Sequence, residues 1–252
     1  MKKSIIFHNN YYNVYTSDPA ADSGRMEAII KELSDYSIIK PELATDKDIL
    51  LVHTINHLLR VKGLKEIYPI ALLAVGGAIL ASEYACENNE PKFALIRPPG
   101  HHASPEGFWG FCYFNNIAIA VKKLIIAKKI DQAVIIDFDL HFGDGTNNTF
   151  SSVKNVIYYH VEGRTRNQFL QNINKFFEEI DSFDIIGVSA GFDRHEKDWG
   201  MLLKTEDYRS IGEILKKFSE EKCPGRRFAV LEGGYNHKVL GENVRAFVEG
   251  FY

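Results

Sequence analysis

An α/β fold, with a mostly parallel central sheet covered by helices on both faces in three α/β/α layers, is predicted by three features of this 252-residue sequence. Short apolar runs alternate with longer amphipathic stretches, as crossover connections between parallel strands require. The apolar runs are nearly continuous, as in strands buried on both faces. Polar motifs follow directly after several of these runs, where the carboxyl ends of parallel strands gather ligands.

In chain order, "SIIF" near residue 4 is the first strand candidate, and a helix is expected over about 23–34. A long helix over about 69–87 contains "AVGGAIL", whose small residues suit close approach to neighbours and, with no GK[ST] following, do not make a phosphate loop. "KFALI" is the second strand; it runs into "RPPGHHASPEGFWGFCYFNN", where Pro98, Pro99 and Gly100 forbid helix and disfavour central strand. Further strands are "QAVIIDF", "NVIYYH", "FDIIGVSA" and "RRFAVLE". Helices are expected between and after them at about 115–128, 167–180, 205–221 and 237–250. No repeat, low-complexity segment or linker divides the chain, so residues 1–252 read as one domain.

Composition excludes several classes. A net charge of −3 with no long Lys or Arg run argues against a constitutive nucleic-acid binder. Three widely spaced cysteines, Cys86, Cys112 and Cys223, give neither a zinc ribbon nor a disulfide framework. "MKKSIIFHNN" has too few apolar residues for a signal-peptide core, and the longest apolar run, 70–81, falls short of the roughly 20 residues a membrane span needs. The expectation is a cytoplasmic protein without a membrane or nucleic-acid partner.

The chemistry-bearing motifs, "RPPGHH", "DLHFGDGT", "AGFD" and "EGGYN", follow four different strands and are expected to converge on one rim of the sheet. In "DFDLHFGDG", Asp137, Asp139 and His141 are spaced by two, so a persisting strand would point them to one face, where a cation would satisfy them. Asp and His together suit zinc or another borderline divalent ion. The alternative is a run of turn residues leaving a strand, with Asp144 and Gly145 opening a helix. Asp193 is the natural third ligand; His195 competes for that role, and Asp198 reads as a solvated loop carboxylate. His53 and His57, four apart on an expected helix, could face one metal but read as packed or surface histidines; Phe108, Trp109, Phe111 and Phe114 could all be core, Phe114 above all, and Cys112 reads as a buried small residue.

Together, "RPPGHHA", "GFCYFNN", "DFDLHFGDGT", "AGFD" and "GGYN" resemble, in order and spacing, the histone deacetylase and acetylpolyamine amidohydrolase superfamily, with its arginase/deacetylase-like fold. The resemblance runs from about residue 23 to about 235. It implies Asp139, His141 and Asp193 as ligands of Zn2+, which Fe2+ or Co2+ could replace. It implies His102 as general base, His101 as the neighbouring electrostatic or proton-shuttling histidine, and Asp144 and Asp137 as their orienting carboxylates. Tyr235 would donate to the substrate carbonyl. Gly110, Phe111, Gly233 and Gly234 would line the substrate channel, and Arg25 would lie beneath the site. The implied substrate is an acylated amine such as acyl-lysine, hydrolysed directly; no nucleophile elbow or serine triad order is present.

The sequence departs from that pattern at several places. Phe142 stands where relatives often carry a second histidine. His160 stands near a serine position of a monovalent-cation (K+) site that Asp137 also lines, so K+ binding there is left open. A long rim segment is missing before "DIIGVSAGFD", so the mouth is expected to be wider or shallower, or completed by a second subunit in a homo-oligomer. Glu66 is the one candidate for a rim carboxylate. A binuclear manganese ureohydrolase of the arginase fold and a non-catalytic acyl-group sensor are the alternative functions.

Overall fold

A computed structural model describes residues 3–252. Seven strands form one parallel sheet: β1 (Ser4–Ile6), β2 (Ser37–Ile39), β3 (Lys92–Ala94), β4 (Ala133–Asp137), β5 (Val156–His160), β6 (Ile185–Ala190) and β7 (Arg227–Leu231), in the order β2-β1-β3-β7-β6-β4-β5. The described helices are α1 (Arg25–Glu32), α2 (Asp46–Ile49), α3 (Ile55–Lys62), α4 (Tyr68–Asn88), α5 (Asn116–Ile126), α6 (Asp144–Phe150), α7 (Arg166–Glu178), α8 (Thr205–Lys222) and α9 (His237–Phe251). Helices α4 and α5 pack together against the sheet, while α1, α7, α8 and α9 form a separate packed group, giving three layers.

The central strands are apolar on both faces because both faces are covered. Ile135 and Ile136 are neighbours on β4, so their side chains point to opposite faces, and both are wholly buried. Each such burial contributes about 1.5–3 kcal/mol. Helix α4 is long and apolar enough to cross a membrane by length and composition, but most of its residues are buried and it packs on α5, β1, β3, β6 and β7. Its Gly76 lies so close to residue 42 that a Cβ would fall 1.9 Å from the Glu42 carbonyl oxygen, which is the close approach expected of "AVGGAIL".

All six expected strands form. The seventh, β2, is three residues long and half exposed, with Ile38 46% accessible, so it lacks the apolar run that marks a strand buried on both faces. The sheet register brings the carboxyl ends level: Ala94 pairs with Val230, Leu231 with Ala190, Ser189 with Asp137, and Asp137 with His160. The loops after β3, β7, β6 and β4 therefore open on one rim, as expected for the four motifs.

Candidate active site

The loop after β3 is held from the rim of β7. The carboxylate of Glu232, just past the end of β7, accepts from the Gly100 N–H (2.7 Å) and the His101 N–H (3.2 Å), while the His101 carbonyl accepts from the Thr146 N–H in α6. The loop thereby places two imidazoles side by side, 4.1 Å apart at 46°. His101 Nδ1 donates to Asp137 at 3.0 Å and His102 Nδ1 to Asp144 at 2.7 Å, so each ring has its own carboxylate. Asp144 is also the first residue of α6, so the helix-entry reading and the orienting reading describe the same side chain. Trp109 lies over His102 at 3.9 Å and donates its indole N–H to the other oxygen of Asp144.

The two imidazoles are driven apart in proton affinity. Burial works against a charge on His101, but the carboxylates of Asp137, Asp139 and Glu232 outweigh it and raise its pKa well above 6.5. Burial and the adjacent His101 charge push His102 down to about 4, against the pull of Asp144. The result is a cation beside a neutral base.

Beyond β4 the strand does not persist; it ends at Asp137. Asp139 and His141 reach the rim through side chain-to-backbone turns: Asp137 accepts from the Asp139 N–H (3.0 Å), and Asp139 accepts from the His141 N–H (2.9 Å). This corrects the expectation of one strand face, because Asp137 turns to His101 and Tyr158 while Asp139 and His141 turn to Asp193. His141 Nδ1 lies 3.2 Å from both Asp139 Oδ1 and Asp193 Oδ2, and donor atoms of the three residues all fall within 4.8 Å of one another.

Two buried carboxylates in contact demand a positive charge. Burial lifts Asp139, but His101 and His141 hold it below the usual range; burial and the Asp139 charge raise Asp193 to about 6; and hydrogen bonds to both carboxylates raise His141 to about 10. Either a proton on His141 or a divalent cation would balance the cluster. Asp193 Oδ2 is buried with only the His141 ring, 3.2 Å away and shared with Asp139, to meet its charge, so it has capacity left that a metal would satisfy. The residues fit a metal with two carboxylates and one imidazole as ligands.

The competing candidates lie elsewhere. His195 stacks toward Tyr208 and its Nδ1 accepts from the Lys197 N–H, away from the cluster. Asp198 is not a solvated loop carboxylate: one oxygen accepts from the N–H groups of Tyr235 (2.8 Å) and Asn236 (2.7 Å), anchoring the loop that carries Tyr235. His53 and His57 are packed, their rings stacked at 4.4 Å, and Phe114 and Cys112 are buried as expected.

A pocket of about 110 Å³ opens on the cluster, lined by Pro99, His101, His102, Trp109, Gly110, Phe111, His141, Trp199, Gly233 and Tyr235. Gly110 and Phe111 both adopt left-handed backbone, φ 58° and 68°, and Phe111 meets the Tyr235 ring edge-on. Gly233 lines the pocket, but Gly234 does not; its carbonyl turns away to accept from Arg25 Nε at 2.8 Å. Arg25 also donates to the Glu232 carbonyl (2.6 Å), and its guanidinium lies 5.7 Å from the Tyr235 ring centroid, which puts it against the site as expected. Burial, then Asp139 and Asp193, raise the Tyr235 pKa well above 10, so its hydroxyl stays a donor.

Three contributors were not singled out in the sequence. Trp199 stacks on Tyr235 at 4.0 Å and meets His141 edge-on, so with Trp109 it walls the mouth from this same chain. Tyr158 donates to Asp137 at 2.9 Å, and Phe142, 49% exposed, packs edge-on to Tyr158 and His160. Glu232, whose second oxygen is buried without a partner, is raised to about 7 by burial. Only the position of Glu232 directly before "GGYN" could have signalled it. Glu66 lies away from the pocket, on a separate groove of about 720 Å³ beyond β1 and β2.

Residues 20–169 and 160–251 match the histone deacetylase domain. The chain is 29% identical to a probable deacetylase of Methanothermobacter thermautotrophicus, with 98% of this chain and 90% of that protein covered. That alignment runs over 303 residues, so the relative carries segments that this chain lacks. A probable deacetylase of Archaeoglobus fulgidus is 30% identical, covering 94% of this chain and 82% of that protein. The fold of the HDA15 HD domain superposes with a TM-score of 0.83 at 21% identity, covering 99% of this chain and 89% of that one.

Proposed function

The chain belongs to the histone deacetylase domain family, and we propose on that basis that it is a zinc-dependent hydrolase removing an acetyl or other short acyl group from an amine. The observation that carries this reading is the meeting, at one small pocket, of the Asp139–His141–Asp193 cluster, two oppositely tuned histidines and Tyr235. Acyl-lysine, an acetylpolyamine or a small acylated metabolite would all present a linear amide to a pocket of about 110 Å³.

Asp139, His141 and Asp193 would hold the ion, which when bound supplies Lewis-acid polarisation of an amide carbonyl and of water. His102, neutral and with its Nδ1 proton held by Asp144, is left with Nε2 as a base for the proton of an attacking water. His101, held cationic by Asp137, adds positive charge beside the reacting centre and a proton for the leaving amine. Tyr235 keeps its O–H to donate to the carbonyl oxygen as negative charge develops there. Trp109, Phe111 and Trp199 wall the pocket with aromatic surface, which lowers the dielectric around each of these interactions.

The test is release of free amine from fluorogenic acyl-lysine peptides and acetylpolyamines by the purified, zinc-loaded protein. No turnover across that panel would sink the reading. Two manganese ions per chain with urea release would instead identify a ureohydrolase. Ligand binding without turnover, unaltered by Tyr235→Phe, would identify a sensor.

A further inference from the structure

Arg194 directly follows Asp193 and is buried, with 7% of its surface accessible. A buried guanidinium costs several kcal/mol unless hydrogen bonds replace its lost water. Among the described residues its hydrogen-bond partners are all neutral. Nε donates to the carbonyls of Phe138 (3.3 Å) and Asp139 (3.0 Å). One terminal nitrogen donates to the carbonyls of Leu140 (3.3 Å) and Val161 (3.0 Å) and to His160 Nε2 (3.0 Å). The Phe169 ring completes the shell, its centroid 5.1 Å from the guanidinium carbon.

Four carbonyl oxygens and one ring nitrogen thus point at one place. Dipoles aimed at each other repel, so this convergence is stable only around a positive charge, and cages of carbonyl oxygens are what hard cations occupy. The acceptors come from the loop carrying Asp139 and His141 and from the end of β5, while the cation comes from the residue after Asp193. One guanidinium therefore ties the ends of β4, β5 and β6 together directly behind the cluster. His160, at the position that left K+ binding open, is a ligand of this guanidinium, the carbonyls of Asp139, Leu140 and Val161 already accept from it, and the Asp137 carboxylate is engaged by His101, Tyr158 and the Asp139 N–H. The residues do not fit a separate K+ there.

We propose that Arg194 is a built-in cation, covalently part of the chain, that does the work of a bound monovalent ion in holding the metal-ligand loops. The consequence is a protein indifferent to K+. Removing the guanidinium while leaving the carbonyls should open a site that a free monovalent cation enters.

The experiment is thermal unfolding of the zinc-loaded protein in choline chloride and in KCl at equal ionic strength, with elemental analysis of bound potassium; neither readout depends on the reaction catalysed. The native protein is expected to have the same Tm in both salts and to carry no stoichiometric potassium. Arg194→Ala is expected to melt several degrees lower in choline and to recover much of that loss in KCl, while Arg194→Lys, which keeps a charge, stays indifferent to K+. Potassium bound to the native protein, or a native Tm that rises with K+, would overturn the proposal. So would an Arg194→Ala variant as stable in choline as the native chain. If Arg194→Ala folds in neither salt, indifference of both the native protein and Arg194→Lys supports the proposal, and K+ dependence of either overturns it.

Discussion

Gly233→Ala should weaken zinc binding without unfolding the protein. The backbone at Gly233 is outside the left-handed region, so alanine carries no conformational penalty there. The obstacle is two oxygens. A Cβ at this position would lie 2.6 Å from Asp139 Oδ2 and 2.7 Å from Asp193 Oδ2, whereas real Cβ atoms essentially never come within 3.0 Å of another heavy atom. The carboxylates must therefore retreat by at least about 0.4 and 0.3 Å, beyond the roughly 0.2 Å tolerance of metal–ligand distances. Asp139 Oδ2 also accepts from the Gly233 N–H at 2.8 Å, a bond the same displacement stretches. Perturbing a ligand's support typically costs about 10–100-fold in metal affinity, or about 1.4–2.7 kcal/mol. Competition against a chromogenic chelator measures the affinity, and melting of the metal-free proteins checks the fold. Native zinc affinity in Gly233→Ala would refute the assignment of these two carboxylates as joint ligands.

His102→Ala should lower kcat by on the order of 10²–10⁴ and by more than His101→Ala, with zinc stoichiometry kept in both; steady-state kinetics with metal analysis check this, and the reverse order would exchange the two roles. Tyr235→Phe should cost on the order of 10²–10³ in kcat with zinc affinity unaltered, and an unchanged kcat would remove Tyr235 from the reaction. Stability should fall in mild acid through His53, which burial and neighbouring His57 push down to about 3. The folded state keeps this ring neutral because its Nε2 accepts from the Asn115 N–H, so below pH 6.5 only the unfolded chain takes up the proton. At pH 5 that amounts to up to about 2 kcal/mol. Urea unfolding at pH 7 and pH 5 should therefore show a smaller pH dependence in His53→Gln than in the native protein; equal dependence would show that His53 does not carry it.

Much of the site was legible because its chemistry is local. Asp139 and His141 lie two residues apart, Asp137 and Asp144 bracket them, and the histidine pair sits in a loop that Pro98, Pro99 and Gly100 take out of regular structure. Strand β2 was not legible because an exposed three-residue edge carries no periodic signal. Asp198 was misread because nothing in "RHEKDW" shows that its carboxylate faces the N–H groups of Tyr235 and Asn236, 37 and 38 residues onward. Gly234 was grouped with Gly233 as substrate wall, yet the Gly234 carbonyl faces Arg25 and only Gly233 reaches the pocket.

From the sequence alone came the alternation of buried strands and helices, the order of the motifs and the pairing of residue types that a hydrolytic centre needs. These are written in covalent order, and hydrophobic burial with parallel pairing carries them to one rim without further information. The tertiary structure alone decided that Trp199 walls the mouth, that Glu232 braces the histidine loop, and that a guanidinium fills the carbonyl cage. Each of those depends on directions of side chains and carbonyls brought together across tens of residues, and a hydrogen bond's geometry exists only once both partners are in place.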